Sequence, residues 1–217
     1  MDGRGERFPS PLPVFPLTGA LLLPHARLPL HIFEPRYVAL IEDALAAGRV
    51  FGMIQPGRAR PASDAGPALS RVGCLGRIQA FSETEDGRFF ITLQGLIRFA
   101  VLGEAEGRRG YRRVFADYAP FAADLAPPLP RREGVDRTRL IGLARTLFAR
   151  HRLALDEQAV AGLGDDLLVA TLAQTLPLTP PEKQALLEAP DVPARAAALT
   201  ALLEMAAAGD EGGGCPS

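Results

Sequence analysis

The chain has 217 residues, with 24 Lys plus Arg against 25 Asp plus Glu and a formal net charge of −1, so no bulk field draws it toward nucleic acid or anionic lipid. Two cysteines, Cys74 and Cys215, exclude a disulfide framework and fit a reducing cytoplasm. The opening MDGRGERFPS lacks the apolar core of a signal peptide. The most apolar early run, ALLLPHARLPL, is broken by two prolines, a His and an Arg, so a soluble, intracellular protein without a membrane span is expected.

Residues 1–10 are polar and Gly-rich and predict a frayed start. LPVFPL then reads as a strand, followed by a loop around Thr18 and Gly19. Leu28, Leu30 and Ile32 alternate with Arg27, Pro29, His31 and Phe33, the period of a half-buried strand. Pro29 lacks an N–H and places that strand at an edge or beside a bulge. Pro35 suits a first helical turn, and Glu34 before it is expected to accept free N–H groups there. Tyr37, Leu40, Ile41, Ala44 and Leu45 give the helix one apolar face, and Gly48 supplies its stop. RVFGMIQP predicts a short strand, and residues 57–70, rich in Gly, Pro, Ala and Ser, a mobile loop.

From Val72 to Leu102 the pattern is β. CLGRIQAF and RFFITLQG flank TEDG, a hairpin signal. Gly95 is expected to mark a bend or bulge before LIRFAVL continues as another strand. YRRVFADYAP predicts one more strand, and so many short strands within about 110 residues suggest a small closed or nearly closed β-barrel. Residues 120–132, PFAADLAPPLPRR, read as a stiff Pro-rich linker. The remainder is helical. Leu140, Leu143, Ala144, Leu147, Phe148 and His151 share one face, a short element begins near Asp156, and 165–176 is apolar nearly all round beyond its two acids. Thr179, Pro180 and Glu182 form a capping box. Asp191 caps a last helix whose buried stripe is Leu199, Leu202, Leu203 and Ala206, Gly209 ends it, and a disordered tail follows.

Taken together, LPVFPL, LPLHIFEPRY, VGCLGRI, DGRFFITLQGLIRFAVL and LPLTPPEKQALLE, in that order and spacing over residues 11 to 205, resemble the N-terminal substrate-binding domain of the Lon ATP-dependent proteases, which also occurs in free-standing bacterial proteins. The resemblance implies an α+β fold: a PUA-like β-barrel with an inserted helix over 11–119, the linker over 120–132, and an α-helical bundle over 133–208, with flexible tails at 1–10 and 209–217.

Chemistry is hard to find in these residues. A Walker A loop ends in Gly-Lys-Ser/Thr, and Lys183, the only lysine, stands between Glu182 and Gln184. Lon-type proteolysis needs a serine activated by a lysine, and Lys183 in the first turns of a capped helix reads as a solvated side chain. The ATPase and peptidase domains of the full-length proteases are absent from this sequence, so no enzyme is expected. His25, His31 and His151 lack metal-ligand spacing. Asp165–Asp166 reads as a helix start that favours acids, and Cys74 as a small buried thiol. Neither metal nor cofactor is expected.

Recognition remains. The resemblance implies a module that engages unfolded or damaged polypeptide, in protein quality control. A separate full-length Lon protease as partner, or a homodimer, is compatible with it. Two routes fit such a fold: an extended peptide added to the edge at Pro29, or apolar segments seated between barrel and bundle. Phe33, Glu34, Arg36 and Tyr37 are the candidate substrate-binding residues, weighed against the plainer view that Glu34 and Arg36 only cap and solvate a helix. The rival class is RNA binding, on Arg108, Arg109, Arg112, Arg113, Arg131 and Arg132. Near-zero net charge and few aromatic residues count against it.

Overall fold

A computed structural model describes residues 8–57, 66–152 and 155–208. The expected C-terminal tail, most of the expected N-terminal tail and most of the 57–70 loop lie outside the described residues. The elements are β1 (Leu12–Pro16), β2 (Arg27–Ile32), α1 (Pro35–Ala46), β3 (Val50–Ile54), β4 (Val72–Glu83), β5 (Phe89–Arg108) and β6 (Tyr111–Asp117). After a 3-10 helix (Ala119–Leu125) come α2 (Arg137–Arg150), α3 (Glu157–Gly162), α4 (Asp165–Thr175), α5 (Pro180–Glu188) and α6 (Val192–Ala208). Apart from α1, inserted between β2 and β3, strands precede helices along the chain, an α+β arrangement.

The strand order is β2-β5-β4-β3-β1-β6, and β5 also pairs with β6. Pairing therefore runs in a closed circuit through β5, β4, β3, β1 and β6, while β2 has a single neighbour among the described residues. The length of β5 makes this possible: residues 89–94 pair with β2 and residues 100–108 with β6. The expectation of two strands separated at Gly95 is corrected here, because β5 is continuous over 20 residues. A bulge does occur beside Gly95, where the register against β4 shifts and Leu96 goes unmatched. Each strand of the circuit contributes to one apolar cluster of Leu12, Val14, Ile54, Leu75, Ile97, Phe99 and Val114. Phe99 fits because Gly52 and Gly73 face it without side chains.

The start of the chain is tied down from residue 8 onward, not frayed through residue 10. Phe8 packs on Tyr118 with ring centroids 5.1 Å apart, and the Tyr118 hydroxyl donates to the Pro9 carbonyl at 2.9 Å. The Pro-rich stretch likewise opens as a 3-10 helix. Within it Asp124 accepts from the Arg98 backbone N–H and holds the Arg98 guanidinium through both carboxylate oxygens, at 2.8 and 2.9 Å.

A second and larger cluster joins strand residues such as Phe51, Ile78 and Leu93 to Leu140, Leu168, Leu172, Leu186 and Leu199 of the helices. Polar ties reinforce that join. The Gln174 amide donates to Leu21 O (2.9 Å), Lys183 Nζ to Gly19 O (2.9 Å), and the Gln184 amide to Val72 O (3.1 Å). Lys183 is thus a half-buried tether and not a solvated side chain, and burial lowers its pKa. The capping box is present, with the Glu182 carboxylate accepting from the Thr179 N–H at 2.7 Å. Two expected helix faces are corrected. His151 is the exposed C-cap of α2, and Ala206 is exposed on α6, whose buried residues are Arg195, Ala196, Leu199 and Leu203.

Asp165 and Asp166 open α4, as their acidity suggested, but they are buried and matched by arginines. Asp165 accepts from Arg137 at 2.8 Å and from the Arg132 N–H at 2.6 Å, while Asp166 holds the Arg132 guanidinium. Burial raises the Asp165 pKa, yet these donors outweigh it and the net shift is downward. A carboxyl with a lowered folded-state pKa stabilises the fold above its unfolded value, near pH 4, and loses that contribution as pH falls through the folded value. Denaturant titrations below about pH 4 are therefore expected to show a steeper loss of stability in the wild type than in Asp165→Asn.

Candidate functional site

The turn between β2 and α1 is built by Pro35, which begins the helix, and Glu34, its N-cap residue. The Glu34 side chain does not cap, contrary to expectation. It accepts instead from Arg36 Nε at 3.1 Å and Nη2 at 2.8 Å, on the surface. Arg36 also lies over the Tyr37 ring, 4.6 Å from its centroid, a cation–π arrangement. Tyr37 is buried, packing against Phe15 with centroids 4.1 Å apart. Desolvation raises its hydroxyl pKa. Of the four candidate residues, Phe33, Glu34 and Arg36 face solvent and Tyr37 anchors the turn beneath them.

Phe33 is 60% exposed and does not stand alone. His31 lies 5.6 Å from it and stacks on Phe90 at 4.4 Å with ring planes 12° apart. Phe90 is 53% exposed and Phe81 46%. Phe81, Phe90, His31, Pro29 and Thr92 line a shallow depression of about 490 Å³ across β2, β5 and β4. His31, Phe33 and Phe90 therefore make the outward face of this end of the sheet aromatic, although such positions are usually polar when they meet only water. Phe81 pairs with buried Ile91 and belongs to the other face. Arg49 approaches Phe81 at 5.8 Å. Alternation in RFFITLQ marks Phe90 as outward-facing, so its exposure was open to inference. The convergence of Phe33, His31 and Phe90 was not, because it depends on the β2–β5 register, His31 opposite Phe90.

The arginines proposed for RNA are otherwise engaged. Arg108 and Arg109 reach Asp43 at 3.0 and 2.9 Å, and Arg109 reaches Glu42 at 2.6 Å. Arg112 pairs with Glu104, Arg113 donates to the Glu106 carbonyl, and Arg131 and Arg132 meet Asp165 and Asp166. Asp43 also accepts from the Tyr111 hydroxyl at 2.7 Å, and burial together with that bond pushes Tyr111 up to about 12. Guanidinium groups held by acids at these distances offer little unneutralised charge to phosphates. Cys74 is buried, and desolvation raises its pKa well above the usual thiol value, which leaves it inert. Among the described residues no group of three His, Cys, Asp or Glu is placed to hold a metal, and no helix is long and apolar enough to cross a membrane.

Residues 11–205 match the family model of the ATP-dependent protease La (LON) substrate-binding domain. The chain belongs to the Lon substrate-binding domain family. Solved structures of that family share its fold. The Lon N-terminal domain protein from Xanthomonas campestris is 26% identical with a TM-score of 0.59, over 88% of this chain and 96% of that one. The N-terminal domain of the Mycobacterium avium complex Lon protease, 18% identical with a TM-score of 0.62, covers 89% and 97%. Among curated bacterial relatives, the Lon protease of Desulfosudis oleivorans is 30% identical over 98 residues, 45% of this chain and 12% of the relative. Lon protease 1 of Thermus thermophilus is 28% identical over 202 residues, 88% of this chain and 24% of the relative. The chain thus spans only a fraction of the full-length Lon proteases, and what it shares with them is the substrate-binding domain.

Proposed function

We propose that this chain is a non-catalytic module that binds unfolded or damaged polypeptide in protein quality control, with the aromatic face around Phe33, His31 and Phe90 as its contact surface. One observation carries the reading: Phe33 and Phe90, each more than half exposed, converge with His31 on one face at the end of a sheet, in a chain of the Lon substrate-binding domain family. Exposed rings on a rigid backbone offer apolar contact at low entropic cost and accept many sequences, as a receptor for unfolded chains requires. Glu34 and Arg36 supply a polar rim, and Tyr37 fixes the turn that carries Phe33. The closed strand circuit supports a PUA-like barrel over 11–119, followed by a helical unit over 133–208 that shares a core with it. An assembly with a full-length Lon protease in the cytoplasm, or a homodimer, would fit the same role. The RNA-binding alternative has less support, since its arginines are paired with acids and carbonyls.

Titration of the protein with a fluorescently labelled, permanently unfolded carboxymethylated protein tests this. Saturable binding is expected, weakened by about tenfold or more in a Phe33→Ser/Phe90→Ser variant, as for contact residues worth over 1 kcal/mol each. Both rings are exposed, so the variant's melting temperature is expected to stay near that of the wild type. Equal binding by the folded variant would overturn the assignment to this surface.

A further inference from the structure

Among the described residues β2 is the strand with only one neighbour, and its hydrogen-bonding phase can be read from the ladder. The Gly95 N–H donates to Ala26 O at 2.9 Å, which puts Ala26 and Gly95 in the hydrogen-bonding phase of the ladder, although the Ala26 N–H itself turns to Leu23 O. Such pairs recur at every second residue of an antiparallel ladder, which places Leu28–Leu93 and Leu30–Ile91 in the same class. Arg27, Pro29 and His31 lie between them and direct their backbone groups away from β5. Pro29 has no N–H. The outer edge therefore presents the N–H groups of Arg27 and His31 and the carbonyls of all three residues, with no partner among the described residues.

A bare edge of this kind invites pairing with any extended chain, and Pro29 and exposed Arg27 restrain self-association. The edge is also not open on all sides. A groove of about 730 Å³ separates β2 from α4, with Leu28 and Pro29 on one wall and Leu167 and Thr171 on the other. Charge selects the occupant. Arg27 is exposed and has no ion pair or hydrogen bond among the described residues, His25 stands beside it in the groove, and no acidic residue lines that groove among the described residues.

We infer that an extended segment of client polypeptide docks in this groove by adding a strand to the outer edge of β2, with apolar side chains at alternate positions and an acidic side chain opposite Arg27. This rests on the polypeptide-binding reading and adds the mode of engagement and a sequence preference. Main-chain hydrogen bonds supply affinity that is indifferent to sequence, and the groove wall and Arg27 supply selection. The occupant must tolerate one missing bond, at Pro29.

The test uses the full chain and an acetylated peptide of about eight residues, an ordinary strand length, alternating valine and threonine around a central glutamate. On binding, hydrogen exchange at the Arg27 and His31 amides is expected to slow by about tenfold or more. The same peptide N-methylated at alternate residues, in the register facing β2, is expected to lose binding by a similar factor. Arg27→Glu is expected to reverse the preference between the glutamate peptide and its lysine counterpart. Peptide binding that leaves both amides unprotected overturns strand addition. If the unfolded carboxymethylated protein binds and the peptide does not, the strand inference alone fails, and if neither binds, the polypeptide-binding reading fails with it.

Discussion

Replacing Arg98 with alanine is expected to destabilise the fold by about 3–5 kcal/mol, the range for a buried ion pair that loses one partner. Arg98 is 3% exposed, on β5. Besides the two-oxygen contact with Asp124, its guanidinium donates to the carbonyls of Leu187 (3.1 Å), Ala189 and Pro190 (3.0 Å), and it stacks on Phe121 at 4.7 Å. One side chain thereby satisfies the C-terminal end of α5 and the 3-10 helix while holding both to the sheet. Truncation strands the Asp124 carboxylate and three carbonyls in a nearly dry site, and each buried unsatisfied group is costly. At this chain length the melting temperature should fall by on the order of 10 °C. The Arg98→Ala/Asp124→Ala double variant should cost less than the two single losses summed, because the second change removes no further pair. Additive losses in urea titrations would show that the two residues act separately.

Gly95→Ala is expected to cost about 3 kcal/mol, the upper end for overpacking. A Cβ at Gly95 would run into the Leu23 carbonyl oxygen and come within 2.8 Å of the Leu23 carbonyl carbon. Those atoms are backbone and have no rotamer to change. The loop that carries them is itself fixed, since the His25 N–H donates to Gly95 O and the Gly95 N–H to Ala26 O, both at 2.9 Å. Gly103, on the same strand, has nothing within 4 Å of a built Cβ. Gly103→Ala should therefore be neutral or stabilising by about 0.5 kcal/mol. Similar midpoints for the two variants in chemical denaturation would contradict a close backbone approach at Gly95.

These two residues also mark where the sequence stops being readable. The local signals were clear: alternation in RLPLHI, Pro35 at a helix start, and the Thr179–Glu182 capping box all describe interactions within a few residues. Gly95 was legible as a special position, but its cause, a loop crossing over it from some seventy residues earlier, was not. Arg98 sits in LIRFAVL at what reads as an ordinary strand position, and its partners lie 26 to 92 residues further along the chain. Asp124 lies in a Pro-rich stretch that by composition reads as a linker. The same limit applies to the binding surface. Phe33 could be chosen from its turn, whereas Phe90 joins it only through the register that sets it opposite His31, and Tyr37 turned inward because Phe15 completes its packing.

The most direct measurement is a parallel titration of the protein with the unfolded carboxymethylated protein, single-stranded RNA and structured RNA across a range of salt concentrations. Saturable binding to the unfolded polypeptide that changes little with salt, with no saturable RNA binding, is the expected result for an apolar contact surface. Saturable RNA binding that weakens steeply with salt, with no response to unfolded polypeptide, would contradict it.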